Sequence, residues 1–453
     1  MDCLCVRRIA LVSIVLWGGV LLWVGATCAR AQAQRETAAV DSAGPAAALP
    51  SRAARWRAKR RAKAKTISPP QPGVLERVVS TVSQIGGAVV PHRLILRLPQ
   101  LDVSGFHPVF GGLGGNAGTT AGILYEPPFW QGPRRLAEVE GLGSIHRYYG
   151  LGARVGGRLG SYVGYAYVRY QHRPRDTFYG LGPNSEADTK AGFRLDQAVA
   201  GGLLGRRFGP DVLLGTHVSY QQNRYGPGHG DEPNVPELFG ERVLGRRSNP
   251  DYILVGAFFE VDSRDASYDR TFGHRFAPTQ PRLRGVSLGA SQGFYFATEV
   301  THNQAVNHPG QSFTRWTFDV REFLPIREDL LHGVSIRQFA SLTRAAGSHV
   351  PFYRLQSIGG DRSLRGYASN RFRDRNVVLA NAEVRCQVWH WLDMAVFGDA
   401  GHVFTDVQTL RQAPRVGYGV GFRIRNDGKT LGRADIAHGA EGWRLHLDLG
   451  SLF

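Results

Sequence analysis

The strongest constraint on the fold of this chain is a two-residue alternation of apolar and polar side chains, which recurs from about residue 105 onward. In Ile253–Asp262 the odd positions are all apolar, and the even positions end in two acidic residues. In Val378–Val388 the even positions are apolar or small, whereas the odd positions include Asn381, Glu383 and Arg385. Successive side chains of a strand point to opposite sides, so this pattern predicts strands with one apolar and one polar face.

A soluble sandwich and a membrane barrel both contain such strands. An N-terminal export signal and the number of alternating segments in one unbroken region favour the barrel. Beyond the N-terminal segment no run of 18 or more apolar residues occurs, which excludes helical membrane spans. At about 10 residues per strand plus connections, residues 105–453 accommodate roughly 16 strands. We therefore predict an all-β protein with a transmembrane antiparallel β-barrel that has a polar lumen and an apolar outer face.

Residues 1–31 have the composition of a signal peptide. Arg7 and Arg8 precede the apolar or small run 9–24, and Ala29-Arg30-Ala31 provides a small-residue cleavage site. A retained inner-membrane anchor is the competing interpretation, because the apolar run is long for a signal peptide. We predict that the segment is cleaved after export.

The positive charge of the chain is concentrated before the barrel region. Of 55 Lys+Arg and 37 Asp+Glu, 12 basic and 3 acidic residues lie in positions 1–75. The basic run 51–65 repels itself and buries little, so we predict a disordered linker over 32–73 and a connector over 74–104. Contact of the basic run with anionic lipid head groups or other periplasmic polyanions is the more specific alternative. A charged tail is weak evidence for nucleic-acid binding, and we expect none.

The end of the chain combines a strand pattern with a terminal aromatic residue. Polar Arg444, His446 and Asp448 alternate with apolar positions. The apolar phase consists of Trp443, Leu445, Leu447, Leu449 and the terminal Phe453. This ending is similar to the β-signal by which outer-membrane barrels are recognised for assembly; an ordinary terminal strand is the alternative.

Two further motifs occur upstream. The segment 358–367 ends in Leu364-Arg365-Gly366-Tyr367, and Phe397-Gly398-Asp399-Ala400-Gly401 follows downstream. The first resembles the loop motif Val-Arg-Gly-Phe/Tyr of the Omp85 (surface antigen D15) superfamily, with Leu in place of Val. The second fits the Phe-x-Asp-x-Gly strand motif of that superfamily at every defined position. Together with the terminal signal, the two motifs indicate an Omp85-type outer-membrane barrel.

The resemblance implies how the loop is held. In the family a long extracellular loop folds back into the lumen, where its Arg pairs with acidic residues on the inner wall. Carried over by position, Arg365 would bond Asp399, and Glu383 on the preceding strand would be a second partner. A guanidinium is always charged and forks to carboxylates, so it can hold an otherwise mobile loop. Gly366 would form the tight tip, and Tyr367 would pack on the wall.

The resemblance to the superfamily extends loosely over residues 105–453 but does not include the residues that precede them. Phe178–Ser185 resembles a Phe-Tyr-Gly-Leu-Gly-Asn segment of these barrels, and Asp262–Asp265 followed by Phe272-Gly273 resembles one of their turns. Most members also carry POTRA modules that capture client chains, but residues 32–104 offer too little strand and helix pattern for one. This departure puts client insertion in doubt and makes a separate periplasmic module a candidate partner.

The remaining motifs do not predict catalysis. Gly285–Gly289 matches the hydrolase pattern Gly-x-Ser-x-Gly around Ser287, but it lies in an alternating strand rather than at a strand–turn–helix elbow. The His residues lack metal-binding spacing, and Cys386 resembles a small hydrophobic residue. The Gly-rich segment 111–118 has no phosphate-loop Lys, so we interpret it as smoothing strands near a seam. We expect no enzyme activity, no metal and no cofactor.

The resemblance implies a non-enzymatic barrel in the outer membrane of a diderm bacterium. It would assist insertion of outer-membrane proteins or move polypeptide or lipid across that membrane. Its expected partners are outer-membrane lipids, an unfolded outer-membrane or secreted client, and a separate periplasmic module. A first and a last strand that part at a weak seam would template an incoming strand. The alternatives are a passive or gated pore, an outer-membrane hydrolase, and a structural or adhesive surface antigen.

Overall fold

The computed structural model describes residues 103–110, 113–114, 116–118, 120–130, 135–240, 243, 249–264, 292–325, 331–345, 350–389, 392–426 and 429–448. These residues form one antiparallel sheet of sixteen strands, in which neighbours in sequence are neighbours in the ladder. An additional two-stranded hairpin interrupts the sequence order without joining that sheet. The prediction of an all-β barrel of about 16 strands is confirmed.

The strands are numbered in chain order. They are β1 (Phe106–Phe110), β2 (Thr120–Tyr125), β3 (Arg135–Ser144), β4 (Tyr149–Leu159), β5 (Tyr162–Phe178), β6 (Ala191–Phe208), β7 (Val212–Pro227), β8 (Tyr252–Asp262), β9 (Gly293–Ala305), β10 (Phe313–Leu324), β11 (Leu331–Ala345), β12 (Gln356–Ile358), β13 (Phe372–Asp374), β14 (Asn376–Trp389), β15 (Leu392–Phe404), β16 (Arg415–Asn426), β17 (Lys429–Gly439) and β18 (Gly442–Asp448). The hairpin is β12–β13, and a short helix, α1 (Val235–Phe239), follows β7.

The alternation in the sequence corresponds to the inward-facing and outward-facing sides of the sheet. On β18 the side chains of Trp443, Leu445 and Leu447 are 69%, 63% and 72% exposed. On β15 the inward-facing Phe397 and Asp399 are buried. Apolar side chains that would be unfavourable against water are favourable against hydrocarbon, and the polar face lines the lumen. The same phase holds on β8 and β14, as the sequence predicted.

The two ends of the barrel differ in the length of their connections. At one end β4–β5, β6–β7 and β16–β17 are joined by two or three residues. At the other end the connections 179–190, 228–251 and 346–375 are much longer. The first end has one connection of comparable length, 263–292 between β8 and β9. Short turns are periplasmic and longer loops extracellular in bacterial outer-membrane barrels. We refer to the second end as the loop end.

The curvature of the sheet brings strands that are distant in the ladder close together at the loop end. The Arg415 Nη2 atom on β16 donates to the Pro183 carbonyl oxygen, which follows β5, at 2.8 Å. Eight strands lie between β5 and β16 in the ladder. None of the helices in the described ranges has the length and apolarity that a membrane span requires.

Several sequence predictions concern residues outside the described ones. They are the signal peptide 1–31, the linker 32–73, nearly all of the connector 74–104, the Ser287 pattern, the segment Phe272-Gly273, and the terminal positions Leu449 and Phe453.

Candidate functional site

The segment between β11 and β14 turns back into the lumen and is here called the lumen loop (residues 350–375). Its inner part is apolar, with Leu364, Tyr367 and Phe372 at 0–1% exposure. These side chains pack in one cluster with Ile358, Val377, Leu379 and Val403. The loop is therefore anchored to β14 and β15 by a small apolar core before any charge is considered.

Arg365 lies at the centre of the loop and contacts the wall with its whole guanidinium. The Nε and Nη2 atoms donate to the two carboxylate oxygens of Asp399, each at 2.8 Å, and the backbone N–H adds a third bond at 3.0 Å. The Nη1 atom donates to Glu383 at 3.0 Å and contacts Asp435 at 3.5 Å. All four side chains are fully buried. The sequence had indicated Asp399 and Glu383 but not Asp435.

The electrostatic environment keeps this arginine charged. The guanidinium carbon lies 3.4 Å from the centre of the Phe397 ring, so one face is covered by an aromatic side chain. Burial by itself lowers the pKa of Arg365, but the bonds to Asp399 and the charge of Glu383 outweigh it and hold the pKa above its ordinary value. A charged bidentate pair of this kind is among the strongest hydrogen-bonded contacts in proteins.

Arg365 is part of a larger group of charges that we call the lumen ion network. Its side chains are buried or partly buried, except that of Arg362, which is 45% exposed. Its arginines are Arg362, Arg365, Arg385, Arg423 and Arg433, and its carboxylates are Asp361, Glu383, Asp399, Asp435 and Asp448. Arg423 donates to Glu383 at 2.6 Å, and Arg433 donates to Asp435 at 3.1 Å. Five positive and five negative groups balance, which satisfies the requirement that buried charges be paired.

Glycines allow the loop to approach the wall this closely. Gly366 has φ +90°, and a Cβ atom there would lie 2.8 Å from the backbone of His438 and Gly439. On β16, a Cβ atom at Gly417 would lie 1.8 Å from the carbonyl oxygen of Arg365. At Gly401 a Cβ atom would meet the Ile358 side chain at 2.8 Å. The first and third glycines belong to the sequence motifs, whereas Gly417 had no local signal in the sequence.

Tyr367 and its neighbours contact the last part of the sheet, from β16 to β18. The Tyr367 hydroxyl donates to the Val416 carbonyl oxygen at 3.2 Å and accepts from the Ala440 N–H at 3.2 Å. The Gly366 N–H lies 3.4 Å from Nε2 of His446 on β18. The loop tip therefore spans from β16 across the β17–β18 turn to the last strand.

Two ion pairs extend this contact with β18 and its turn. Arg362 donates to Asp448 at 3.1 Å, and Arg371 donates to Glu441 at 2.6 Å. The outward side of the same strand carries the apolar residues of the predicted β-signal. The inner face of β18 is thus held by the lumen loop.

The opposite wall also contacts the loop. Arg371 donates to the Ser185 side chain at 2.8 Å and to its carbonyl oxygen at 2.7 Å, and the Gly182 N–H donates to the Arg373 carbonyl oxygen at 2.9 Å. The segment 178–185 had been noted only as a loose family likeness. Gly180 and Gly182 adopt positive φ in the structure. The two closely spaced glycines were the sequence signal for such a tight turn.

An apolar cluster covers the loop end on this side. We call it the mouth cluster; its buried members are Phe178, Ala191, Phe193, Leu195, Val235, Val243, Phe352 and Tyr353. The rings of Phe178 and Phe352 lie 4.9 Å apart, so the end of β5 packs directly on the lumen loop. These contacts close part of the loop end of the barrel.

Comparison with known proteins agrees with this geometry. The sequence matches the model of the Omp85 superfamily domain over residues 166–431. The structure of BamA from Haemophilus ducreyi lacking POTRA domains 1–3 aligns with a TM-score of 0.52 at 12% identity, over 77% of this chain and 69% of that one. At this identity the likeness concerns the fold. A search of curated proteins found no match to the sequence.

Two structures of CdiB align less well. CdiB from Acinetobacter baumannii gives a TM-score of 0.45 at 13% identity, over 76% of this chain and 58% of that one. CdiB from Escherichia coli gives 0.47 at 11%, over 77% and 62%. The family model covers more than half of the sequence, and the chain belongs to the Omp85 superfamily.

Proposed function

We propose that this barrel lies in the outer membrane of a diderm bacterium and assists insertion of outer-membrane proteins, or moves polypeptide or lipid across that membrane, without catalysing a reaction. The supporting observation is the lumen loop, which the buried Arg365–Asp399 pair fixes beside the last strand. Barrels of the Omp85 superfamily are outer-membrane proteins of diderm bacteria. The exported N-terminus expected from the sequence agrees with this location.

The proposed mechanism uses the two ends of the sheet. In the described residues, β1 is the first and β18 the last strand of the sheet, and each of these two strands pairs with a single neighbour. The free edge of such a strand presents backbone N–H and C=O groups, which an incoming strand can pair with. Because the lumen loop contacts His446 and Asp448, it sets the position of the edge that the client would meet.

The proposed partners follow from the same surfaces. Outer-membrane lipids contact the outward row of Trp443, Leu445 and Leu447, the described part of the proposed β-signal. The client is an unfolded outer-membrane or secreted protein. A separate periplasmic module that presents the client at the turn end of the barrel is the third partner.

Reconstitution tests the insertion proposal. Vesicles that contain the protein are mixed with a denatured small outer-membrane barrel, and folding of this client is followed by its heat-modifiable migration on gels. We expect faster folding than in vesicles that contain an unrelated barrel of similar size. A deletion strain separates the other possibilities, because lost secretion or altered lipid asymmetry indicates translocation. Unchanged client folding together with unaltered outer-membrane composition would instead support a structural surface antigen.

Conductance tests the pore alternative. Because Arg371 joins Ser185 to Glu441 across the loop end, we expect the purified protein to give small or infrequent steps in planar bilayers. Arg371→Ala removes both contacts and is expected to increase step size and frequency. The control is Arg224→Ala, which changes a half-exposed arginine on the outer face. Large, steady steps of the wild type that Arg365→Ala leaves unchanged would favour a passive pore.

A further inference from the structure

A second group of arginines lies near the loop end, away from the lumen ion network. We call it the arginine group; it consists of Arg173 on β5, Arg315 on β10, and Arg354 and Arg373 on the lumen loop. Arg315 Nη2 donates to the carbonyl oxygen of Arg354 at 2.6 Å, so these two residues are adjacent. Arg173 is close enough to both Arg354 and Arg373 to affect their ionisation. Arg315 and Arg373 are 8% and 5% exposed.

The hydrogen-bond partners of these guanidinium groups are almost all neutral. Arg315 Nε donates to the Thr343 hydroxyl at 3.3 Å, Arg354 Nη2 to the Asn303 side chain at 2.7 Å, and Arg373 Nη1 to the Phe352 carbonyl oxygen at 3.0 Å. The single carboxylate in contact is Asp176, 3.2 Å from Arg173. Across the described part of the chain, no carboxylate makes an ion pair with Arg315, Arg354 or Arg373. Asp176 also acts on the charge of Arg373, and Glu299 acts on that of Arg315. The group therefore carries four positive charges against these two carboxylates.

Three buried donors of the group also lack any acceptor. Among the described residues, the Nε atoms of Arg173, Arg354 and Arg373 have no hydrogen-bond partner. Buried N–H groups of charged side chains are costly to leave unsatisfied. These atoms belong to the wall (Arg173) and to the lumen loop (Arg354 and Arg373).

Aromatic rings offset only part of the charge. The Arg354 guanidinium lies 5.0 Å from the Tyr252 ring centre, and that of Arg315 lies 5.1 Å from the Phe313 ring centre. A ring face supplies a partial negative charge, not a full one. Burial lowers the pKa of Arg373 to about 10, with the charge of Asp176 opposing the shift and that of Arg173 adding to it. Burial and the charge of Arg173 also lower the pKa of Arg354. The lumen ion network, with five charges of each sign, shows no such excess.

We propose that the arginine group binds a phosphate group, either inorganic phosphate or the phosphomonoester of a lipid, as the counter-charge missing from this side of the lumen. A tetrahedral oxyanion accepts several N–H donors at once and matches the forked donors of guanidinium groups. Arg354 and Arg373 belong to the lumen loop, whereas Arg173 and Arg315 belong to the wall. The bound phosphate would therefore fasten the loop to β5 and β10, opposite the Arg365 contact.

Thermal unfolding tests the proposal. The folded protein in detergent, freed of phosphate, is titrated with inorganic phosphate at constant ionic strength set by chloride. We expect a saturable rise of several degrees in the midpoint, because a ligand that binds only the folded state stabilises it. Arg354→Gln and Arg373→Gln are expected to lose this response. The matched control is Arg415→Gln, since Arg415 is another loop-end arginine that donates to neutral acceptors on Pro183 and Asn184.

The outcomes distinguish the sources of the phosphate. A rise with phosphate alone assigns a free ion, whereas a rise only in micelles that contain phosphatidic acid assigns a lipid phosphomonoester. An equal rise in Arg354→Gln and Arg373→Gln, or with chloride alone, would overturn the proposal. If those variants do not fold, equilibrium dialysis of the wild type with radiolabelled phosphate and phosphatidic acid micelles decides, because absence of saturable binding to either rejects the site.

Discussion

Arg365→Glu is expected to cause the largest loss of stability of any single substitution in this barrel. The new carboxylate would lie among Asp399, Glu383 and Asp435, all fully buried, and the bidentate bonds would be lost. Breaking a buried ion pair by removing one partner costs about 3–5 kcal/mol, and charge reversal adds repulsion. We expect loss of the compact, heat-modifiable form on gels and a marked fall in the unfolding midpoint in detergent.

Two further variants define the cause of that loss. Arg224→Glu reverses a half-exposed arginine that pairs with Asp251, and it is expected to cost less than about 1 kcal/mol. Adding Asp399→Arg to Arg365→Glu restores a pair with the two charges exchanged and is expected to rescue folding. The rescue is expected to be partial, because Glu383 and Asp435 still repel the new carboxylate at position 365. Wild-type stability of Arg365→Glu would refute the anchoring role. Complete failure of the rescue would mean that Glu383 and Asp435 hold the arginine as much as Asp399 does.

Gly417→Ala is expected to have the second largest effect, without changing any charge. The added Cβ atom would lie 1.8 Å from the carbonyl oxygen of Arg365, and both atoms are fixed by backbone. Either β16 or the loop tip must move by more than 1 Å, which would stretch the bonds of Arg365 to the wall. We expect a loss of about 2–4 kcal/mol, comparable to overpacking or breaking a buried network. Limited proteolysis of the unboiled protein should then cut within the lumen loop.

The control for this experiment is Gly398→Ala on the neighbouring strand. A Cβ atom at Gly398 would have no heavy atom within 4 Å, although the residue lies between Phe397 and Asp399. We expect this variant to keep the stability and protease resistance of the wild type. Equal behaviour of the two variants would show that the loop tip tolerates displacement and that the close approach at Gly417 is not required.

The sequence was sufficient for the barrel because alternation is a local property. In β8 and β14 each residue carries its own information about the face it occupies, so the pattern could be read without knowledge of partners. The contact of Arg365 with Asp399 required a motif resemblance, since 34 residues separate the two. The position of Glu383 followed from its strand face and its order in the chain.

The remainder of the site depends on register, which the sequence does not display. Arg423 and Asp435 are inward-facing by phase, but their meeting follows from the pairing of Gly421 with Asp435 across β16 and β17. Gly417 is one of 57 glycines, and nothing local marks it as the one that faces the loop backbone. The mouth cluster joins β5, β6, α1 and the lumen loop, so it exists only after the sheet has curved.

The contacts between the lumen loop and the last strand have a consequence for assembly of the barrel. Arg362 and the Gly366 N–H find their partners Asp448 and His446 on β18, the final strand of the sheet. An intermediate that has not yet added this strand leaves those partners out of reach, whatever the state of the preceding strands. Complete docking of the lumen loop would therefore occur only after β18 has been added. Quality-control proteases would then distinguish finished from unfinished molecules by whether residues 350–375 are accessible.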